Sequence, residues 1–328
     1  MDIRNNRFQP IVFAVISFVA LAIYAGTFVE KKILIKGLWD TVEAVQGQKD
    51  STARIEALEK LVKAGRSLNN ISLNDVNLSN AELSNAKLSS ADLSNADLNS
   101  AKLKRANLDS ANLKRAKLKR TDLSNADLSN ADLERADFNS ANLERAELNT
   151  ANLKSAGLNS ANLEDTDLYS ANFEGADLER ANLKSVDLER GGGKSSEIED
   201  NDLFHVNFKG ANLKSANLER ANIEHANLKN ARLANANLEN ANLENANLEN
   251  ANLENANLEN ANLENANLEG TNFAGTNFEG AKLKSANFKS ARNLTLQKLK
   301  VAENWDQACY DPEFRKQLGL PSEIPDHC

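Results

Sequence analysis

From Leu68 to Leu188 every fifth residue is Leu or Phe, and from Leu203 to Phe288 every fifth residue is Leu, Ile or Phe: 25 and 18 successive positions without an exception. The residue two before each is usually Ala, replaced by Thr or Val at places such as Thr121, Val186 and Thr271. The two positions after each are filled by Asn, Ser, Glu, Lys and Arg, side chains that suit bends and solvent. The unit is therefore A-(N/D)-L-x-x, and from Ala236 to Asn265 it runs as six identical copies of ANLEN.

A period of five fits neither regular element. On an α-helix five residues advance about 500°, so successive Leu residues would rotate around every side and leave no stripe. On a flat strand an odd period sends successive Leu residues to opposite faces. The pattern is kept only if the chain bends once per pentad, so that each Leu and its Ala point to one central axis. That predicts a coil whose turns stack through backbone hydrogen bonds. All four prolines (Pro10, Pro312, Pro321, Pro325) lie outside the repeats, as a ladder that uses every N–H requires.

Over residues 66 to 290 the A-(N/D)-L-x-x series resembles the pentapeptide-repeat family. The resemblance implies an all-β solenoid, a right-handed quadrilateral β-helix with four pentads per coil, in which residues twenty apart stack on one side. The ending NWDQACYDPEFRKQLGLP is similar to the tails of bacterial members. Some members of the family resemble a DNA duplex in shape and charge and act on topoisomerases, which implies a DNA-mimicking, topoisomerase-binding protein as one alternative.

The repeats fall into two blocks, 66–190 and 201–290, separated by GGGKSSEIED at 191–200. Either two degenerate pentads put Gly193 and Ile198 in the central slots, or ten residues loop out. Three consecutive glycines fill no core, so the loop is favoured. GGGKS lacks the G-x-x-x-x-G-K-[ST] spacing of a phosphate loop. An open solenoid end would recruit other chains unless covered. Juxtamembrane and capping helices are expected in 30–65, with Ile55, Leu58, Leu61 and Val62 at helical spacing and Gly65 as a stop. In the C-terminal tail, 291–328, one helix is expected from Thr295, with Leu296, Leu299, Ala302, Trp305 and Ala308 on one stripe. A shorter one should start at Asp311-Pro312 and end at Gly319.

After an N-terminal flank, 1–10, residues 11–29 read IVFAVISFVALAIYAGTFV without a charge. As a helix that run spans roughly 28 Å, enough for a single-pass membrane anchor. The competing reading is a signal peptide cut near Ala20-Leu21-Ala22, which would release a luminal or periplasmic protein. The apolar run continues well past Ala22, which favours the anchor. Arg4 and Arg7 precede it, Lys31, Lys32 and Lys36 follow it, and that slight excess leans towards a cytoplasmic rod. Cys309 and Cys328 are then expected as free thiols, and an oxidising compartment would instead pair them.

Composition narrows the function. Aromatics are 5% and apolar residues 41% of the chain, which suits a narrow Leu/Ala core and not a thick globular one. A net charge of −8 makes nucleic acid an unfavourable partner. His205 and His225 would stack but lack a third ligand, so neither metal nor cofactor is expected. Carboxylates on a convex, solvated surface have nothing to shift them into a catalytic range, so no enzyme is expected. Charge is segregated along the chain. Residues 101–120 hold Lys102, Lys104, Arg105, Lys114, Arg115, Lys117, Lys119 and Arg120 against Asp109 alone, whereas 233–281 contain no Lys or Arg and many Glu. The expected function is a membrane-tethered, non-catalytic scaffold or interaction rod. Its basic coil, with Lys104, Arg105, Lys114, Arg115, Lys119 and Arg120, is the candidate site for an acidic protein partner or anionic lipid.

Overall fold

The computed structural model describes residues 30–44, 50–186, 206–321 and 328, and it divides into two compact units, Met1–Gly65 and Arg66–Cys328. The predicted anchor at 11–29 and the segment 191–200 lie outside the described residues. Among the described residues no helix is long and apolar enough to cross a membrane.

In the first unit, residues 30–44 are helical (α1), and α2 spans Thr52–Lys63. Ser51 caps α2, its hydroxyl accepting from the Arg54 N–H at 3.2 Å. Gly65, at φ +68°, ends the helix in a conformation that glycine adopts without penalty. Ala57, Leu58 and Leu61 are buried along one stripe.

The second unit is a ladder in which residue i pairs in parallel with residue i+20, from Ser67↔Lys87 to Asn272↔Arg292. Four pentads therefore make one coil. The pairs are isolated bridges, one per pentad, because the chain turns before a longer strand can form. One pentad shows the mechanism. Leu83 N–H donates to Lys102 O in the next coil at 2.8 Å, and Lys102 N–H donates back to Ala81 O at 2.8 Å. Ala86 N–H then closes a turn on Leu83 O at 3.0 Å. The turn's third residue, Asn85, has φ 61°, and the same position is left-handed in pentad after pentad. That conformation is open to Gly and, among other residues, tolerated best by Asn and Asp. The run of ANLEN copies thus ends each pentad on a residue suited to the corner. The Leu and Ala slots are buried almost completely, which is the narrow core that the five-residue period predicts. Where Thr takes the Ala slot its hydroxyl is satisfied by a backbone carbonyl: Thr121 donates to Leu98 O and Thr271 to Leu248 O of the previous coil, at 2.8 and 2.7 Å, and Thr166 to Leu163 O of its own coil.

Across the interruption the register changes. Asn172 pairs with Asn207, Asp177 with Asn212 and Asn182 with Asn217, each thirty-five residues on instead of twenty. Fifteen residues are therefore surplus to the ladder, where a ten-residue loop or two degenerate pentads were expected. The join is tight, with the Phe173 and Phe208 rings stacked at 5.0 Å on successive coils.

The first of the two helices expected in the C-terminal tail is cut short. Thr295 caps only one turn, α3 (Leu296–Leu299). The chain then returns to the ladder, Glu303 pairing with Lys282 and Cys309 with Asn287. Backbone groups left open by the last coil outcompete a helix that would have left them unpaired. Tyr310 stacks on Phe288 with ring centroids 5.5 Å apart, and its O–H donates to Trp305 O at 2.7 Å. Burial pushes that phenol well above its usual range, Asp306 adding to the effect. The second helix, α4 (Pro312–Gln317), starts with proline as expected, but Asp311 does not cap it. Its carboxylate accepts instead from Ser290 N–H at 2.7 Å. Cys309 and Cys328 form a disulfide, which corrects the expectation of free thiols.

Candidate interaction surface

The ladder gives each surface residue a fixed address. The slot before each central Leu, Asn or Asp in most pentads, is a second, polar ladder. Its Oδ1 accepts from the amide two residues on, as in Glu239 N–H to Asn237 Oδ1 at 3.2 Å. Its Nδ2, when it is Asn, reaches the same slot one coil away: Asn237 to Asn217, Asn257 to Asn237 and Asn277 to Asn257, at 3.3, 3.3 and 3.0 Å. The sequence shows this preference plainly, but its reason lies in contacts between residues twenty apart.

The eight cations of residues 101–120 do not form a uniform belt. Lys102 pairs with Glu82 at 2.6 Å and Lys117 with Asp97 at 3.4 Å, in the coil before. Lys114 pairs with Asp132 at 2.9 Å and Lys119 with Asp137 at 3.1 Å, in the coil after. The Asp132 and Glu82 bonds hold the Lys114 and Lys102 amines above their usual range. Lys104, Arg105, Arg115 and Arg120 are exposed, and among the described residues no ion pair reaches them. Two of the six candidate residues, Lys114 and Lys119, are thus partly neutralised within the rod, and four are not. Lys114 and Arg115 border a shallow depression with Ser94, Asn95, Asn112 and Glu134. A second, with Asn99, Ser100, Asn139 and Ser140, is bordered by Lys119 and Arg120.

Lys104 and Arg105 sit on the side whose column runs through Leu103, Leu183, Leu218, Leu238 and Phe278. Farther along that column stand Glu239, Glu259 and Glu279, successive rungs joined by Asn240 N–H to Glu259 O and Asn260 N–H to Glu279 O, both at 2.8 Å. None of these three carboxylates has an ion pair among the described residues, although Glu239 Oε1 accepts from Asn240 Nδ2 at 3.2 Å and Glu259 Oε2 from Asn277 Nδ2 at 3.5 Å. Another acidic run was not singled out from the sequence. Asp127, Glu147 and Asp167 stack on successive coils, and partial burial together with both neighbouring charges holds the Glu147 carboxyl above its usual range.

His205 lies outside the described residues, and His225 Nε2 lies 3.3 Å from Glu224 Oε1. Among the described residues no group of three or more His, Cys, Asp and Glu is placed to hold a metal ion.

A family model for pentapeptide repeats matches 8 copies over residues 65–95, 91–130, 116–154, 146–184, 202–240, 231–270 and 261–292, more than half of the chain. The chain belongs to the pentapeptide-repeat family. It is similar to the crystal structure of HetL, a pentapeptide repeat protein involved in heterocyst differentiation regulation from the cyanobacterium Nostoc sp. strain PCC 7120. The identity is 34%, over 70% of this chain and 95% of HetL, with a TM-score of 0.52. A trypsin-treated form of QnrB1, a plasmid-mediated fluoroquinolone resistance protein, matches at 14% identity over 76% of this chain and 95% of its own, with a TM-score of 0.45. No curated protein sequence matches this chain.

Proposed function

We propose that this pentapeptide-repeat protein is a non-catalytic interaction rod, held to a membrane by residues 11–29, which binds an acidic protein surface through the cations of residues 101–120. The observation that carries the reading is the set of four exposed cations, Lys104, Arg105, Arg115 and Arg120, fixed on a rigid ladder without ion partners among the described residues. Charges whose backbone is fixed on one coil act together to steer an oppositely charged partner. The involvement of HetL in heterocyst differentiation regulation is in keeping with this. The Cys309–Cys328 disulfide favours a rod on the oxidising side of the membrane, against the lean of the flanking charges towards the cytoplasm.

The test is equilibrium binding of polyglutamate to the full-length chain in neutral liposomes. Binding should weaken steeply with salt and disappear when Lys104, Arg105, Arg115 and Arg120 are reversed to Glu, while the circular dichroism of the rod stays the same. Equal binding by the reversed protein would overturn the reading.

A further inference from the structure

Two of the unpaired cations, Lys104 and Arg105, lie on the same side of the rod as Glu239, Glu259 and Glu279, and nothing within the rod can bring the two sets together. From the coil of Leu103 to that of Leu238 the column rises six coils, roughly 29 Å at the spacing of stacked strands. A side chain spans a fraction of that distance, and the ladder that separates them is hydrogen-bonded rung by rung. An ion partner for either set therefore has to come from another molecule, and each molecule carries both sets.

We infer that a second copy of this chain is the partner, in a two-fold, antiparallel pair that sets Lys104 and Arg105 of one copy against the Glu239–Glu259 column of the other. This rests on the proposed reading of the basic coil and names its occupant. A two-fold axis through the middle of the column makes both contacts at once, because in an isologous pair each patch meets the other's counterpart. A head-to-tail arrangement would leave one set of each kind unmatched at the ends. The column between the two patches is not repulsive throughout: Lys184 and Arg220 lie beside Glu219, at 3.2 and 3.6 Å, and Arg145 beside Glu144, at 3.8 Å. An axis normal to a bilayer also leaves both N termini on one membrane. The contact is polar, so it should be weak and sensitive to ionic strength.

The experiment uses the full-length chain in neutral liposomes, as a mixture of isotope-labelled and unlabelled copies. Zero-length carbodiimide coupling joins a lysine amine to a carboxylate in contact with it. The expected product links a peptide bearing Lys104 to the peptide 233–282 of the other isotope, and its yield should fall about tenfold from low to high salt. Energy transfer between donor- and acceptor-labelled copies reads the pairing independently. It should be lost in Lys104→Glu/Arg105→Glu and in Glu239→Lys/Glu259→Lys, and regained when all four changes are combined. Polyglutamate binding is measured on the same liposomes. Absence of mixed-isotope links and of energy transfer, with polyglutamate still bound, overturns the self-pairing and leaves the basic coil as an acidic-surface binder. Loss of polyglutamate binding as well overturns both. Energy transfer that survives either charge reversal overturns the self-pairing through these residues.

Discussion

Val186 and Val206 occupy consecutive pentads along the coil although twenty residues separate them: Val186 O accepts from Asn222 N–H at 3.0 Å, and Val206 O accepts from Asn227 N–H, one pentad farther on, at 3.1 Å. Both valines are buried in the Ala slot. One pentad is all the coil can accept between them, so fifteen residues can be removed without changing a rung. Deleting 187–201 leaves Val186 followed by DLFH and Val206, a regular pentad. The expected outcome is a melting temperature within a few degrees of the parent, since closing a shorter loop changes the entropy by less than about 1 kcal/mol. Deleting 187–203 takes the central Leu and breaks the phase, and should lower the melting temperature far more. Thermal unfolding of the two variants side by side decides it.

What the sequence made legible follows the range of the interactions. The inward Leu and Ala repeat within each pentad, so the coil could be read from a five-residue period alone. Four sides per coil came from the family resemblance and reappear as the twenty-residue pairing of Ser67 with Lys87. The surplus of fifteen was not readable, because Leu188 and Leu203 each fit a central slot and only the pairing of Asn172 with Asn207 shows that one is extra. The C-terminal stripe misled for a related reason. Leu296, Leu299, Ala302, Trp305 and Ala308 recur every three residues, but the open edge at Lys282 and Asn287 takes the backbone of Glu303 and Cys309. In the basic coil, composition gave the charges and could not show that Lys102, Lys114, Lys117 and Lys119 are matched by carboxylates one coil away.

The disulfide ties the chain end to the ladder. Cys309 is paired with Asn287, and Lys289 Nζ donates to the Cys328 carbonyl at 2.8 Å. Closing a loop of about twenty residues should contribute roughly 3 kcal/mol. Cys328→Ser is the clean variant, because Cys309 is itself buried in the ladder. It should lower the melting temperature by several degrees without changing the far-ultraviolet spectrum. Alkylation of protein taken from its native membrane should leave both thiols unmodified until a reductant is added. Ready modification before reduction would return the rod to a reducing compartment.

Glu147 sits where most pentads place Asn or Asp, between Asp127 and Asp167. Its carboxyl is held above the ordinary glutamate range by partial burial first and by the two neighbouring charges next. A carboxyl whose folded pKa exceeds its unfolded value favours folding when protonated. That contribution is present in acid and is lost as pH rises through the raised value. At neutral pH Glu147 is therefore a liability, and Glu147→Asn should stabilise the rod. An amide there can donate to Asp127 as Asn152 does to Asp132, at 3.2 Å. Screening at this solvent-reaching site keeps the gain to about 0.5 kcal/mol. The advantage over the parent should shrink as pH falls below the ordinary glutamate range. A gain that is constant with pH would assign it to the amide alone, and no gain at neutral pH would dismiss the repulsion.

Asn235 ends its pentad at φ 59°, on the corner between Leu233 and Leu238. Its amide N–H donates to Glu254 O at 2.8 Å, so the corner is pinned to the next coil and cannot relax by rotating φ. A β-branched side chain in this left-handed conformation places its Cβ substituents against the neighbouring carbonyl, which costs about 1–2 kcal/mol. Asn235→Val should therefore destabilise the rod by that amount. Asn235→Gly should lie within about 0.5 kcal/mol of the parent, because glycine adopts the conformation freely but gains freedom in the unfolded chain. The position is exposed, so no loss of burial confuses the comparison. The ranking Gly near Asn, with Val well below, is what a fixed left-handed corner requires. Chemical denaturation of the three proteins measures it, and a valine variant as stable as the parent would mean that the corner can rearrange within the coil.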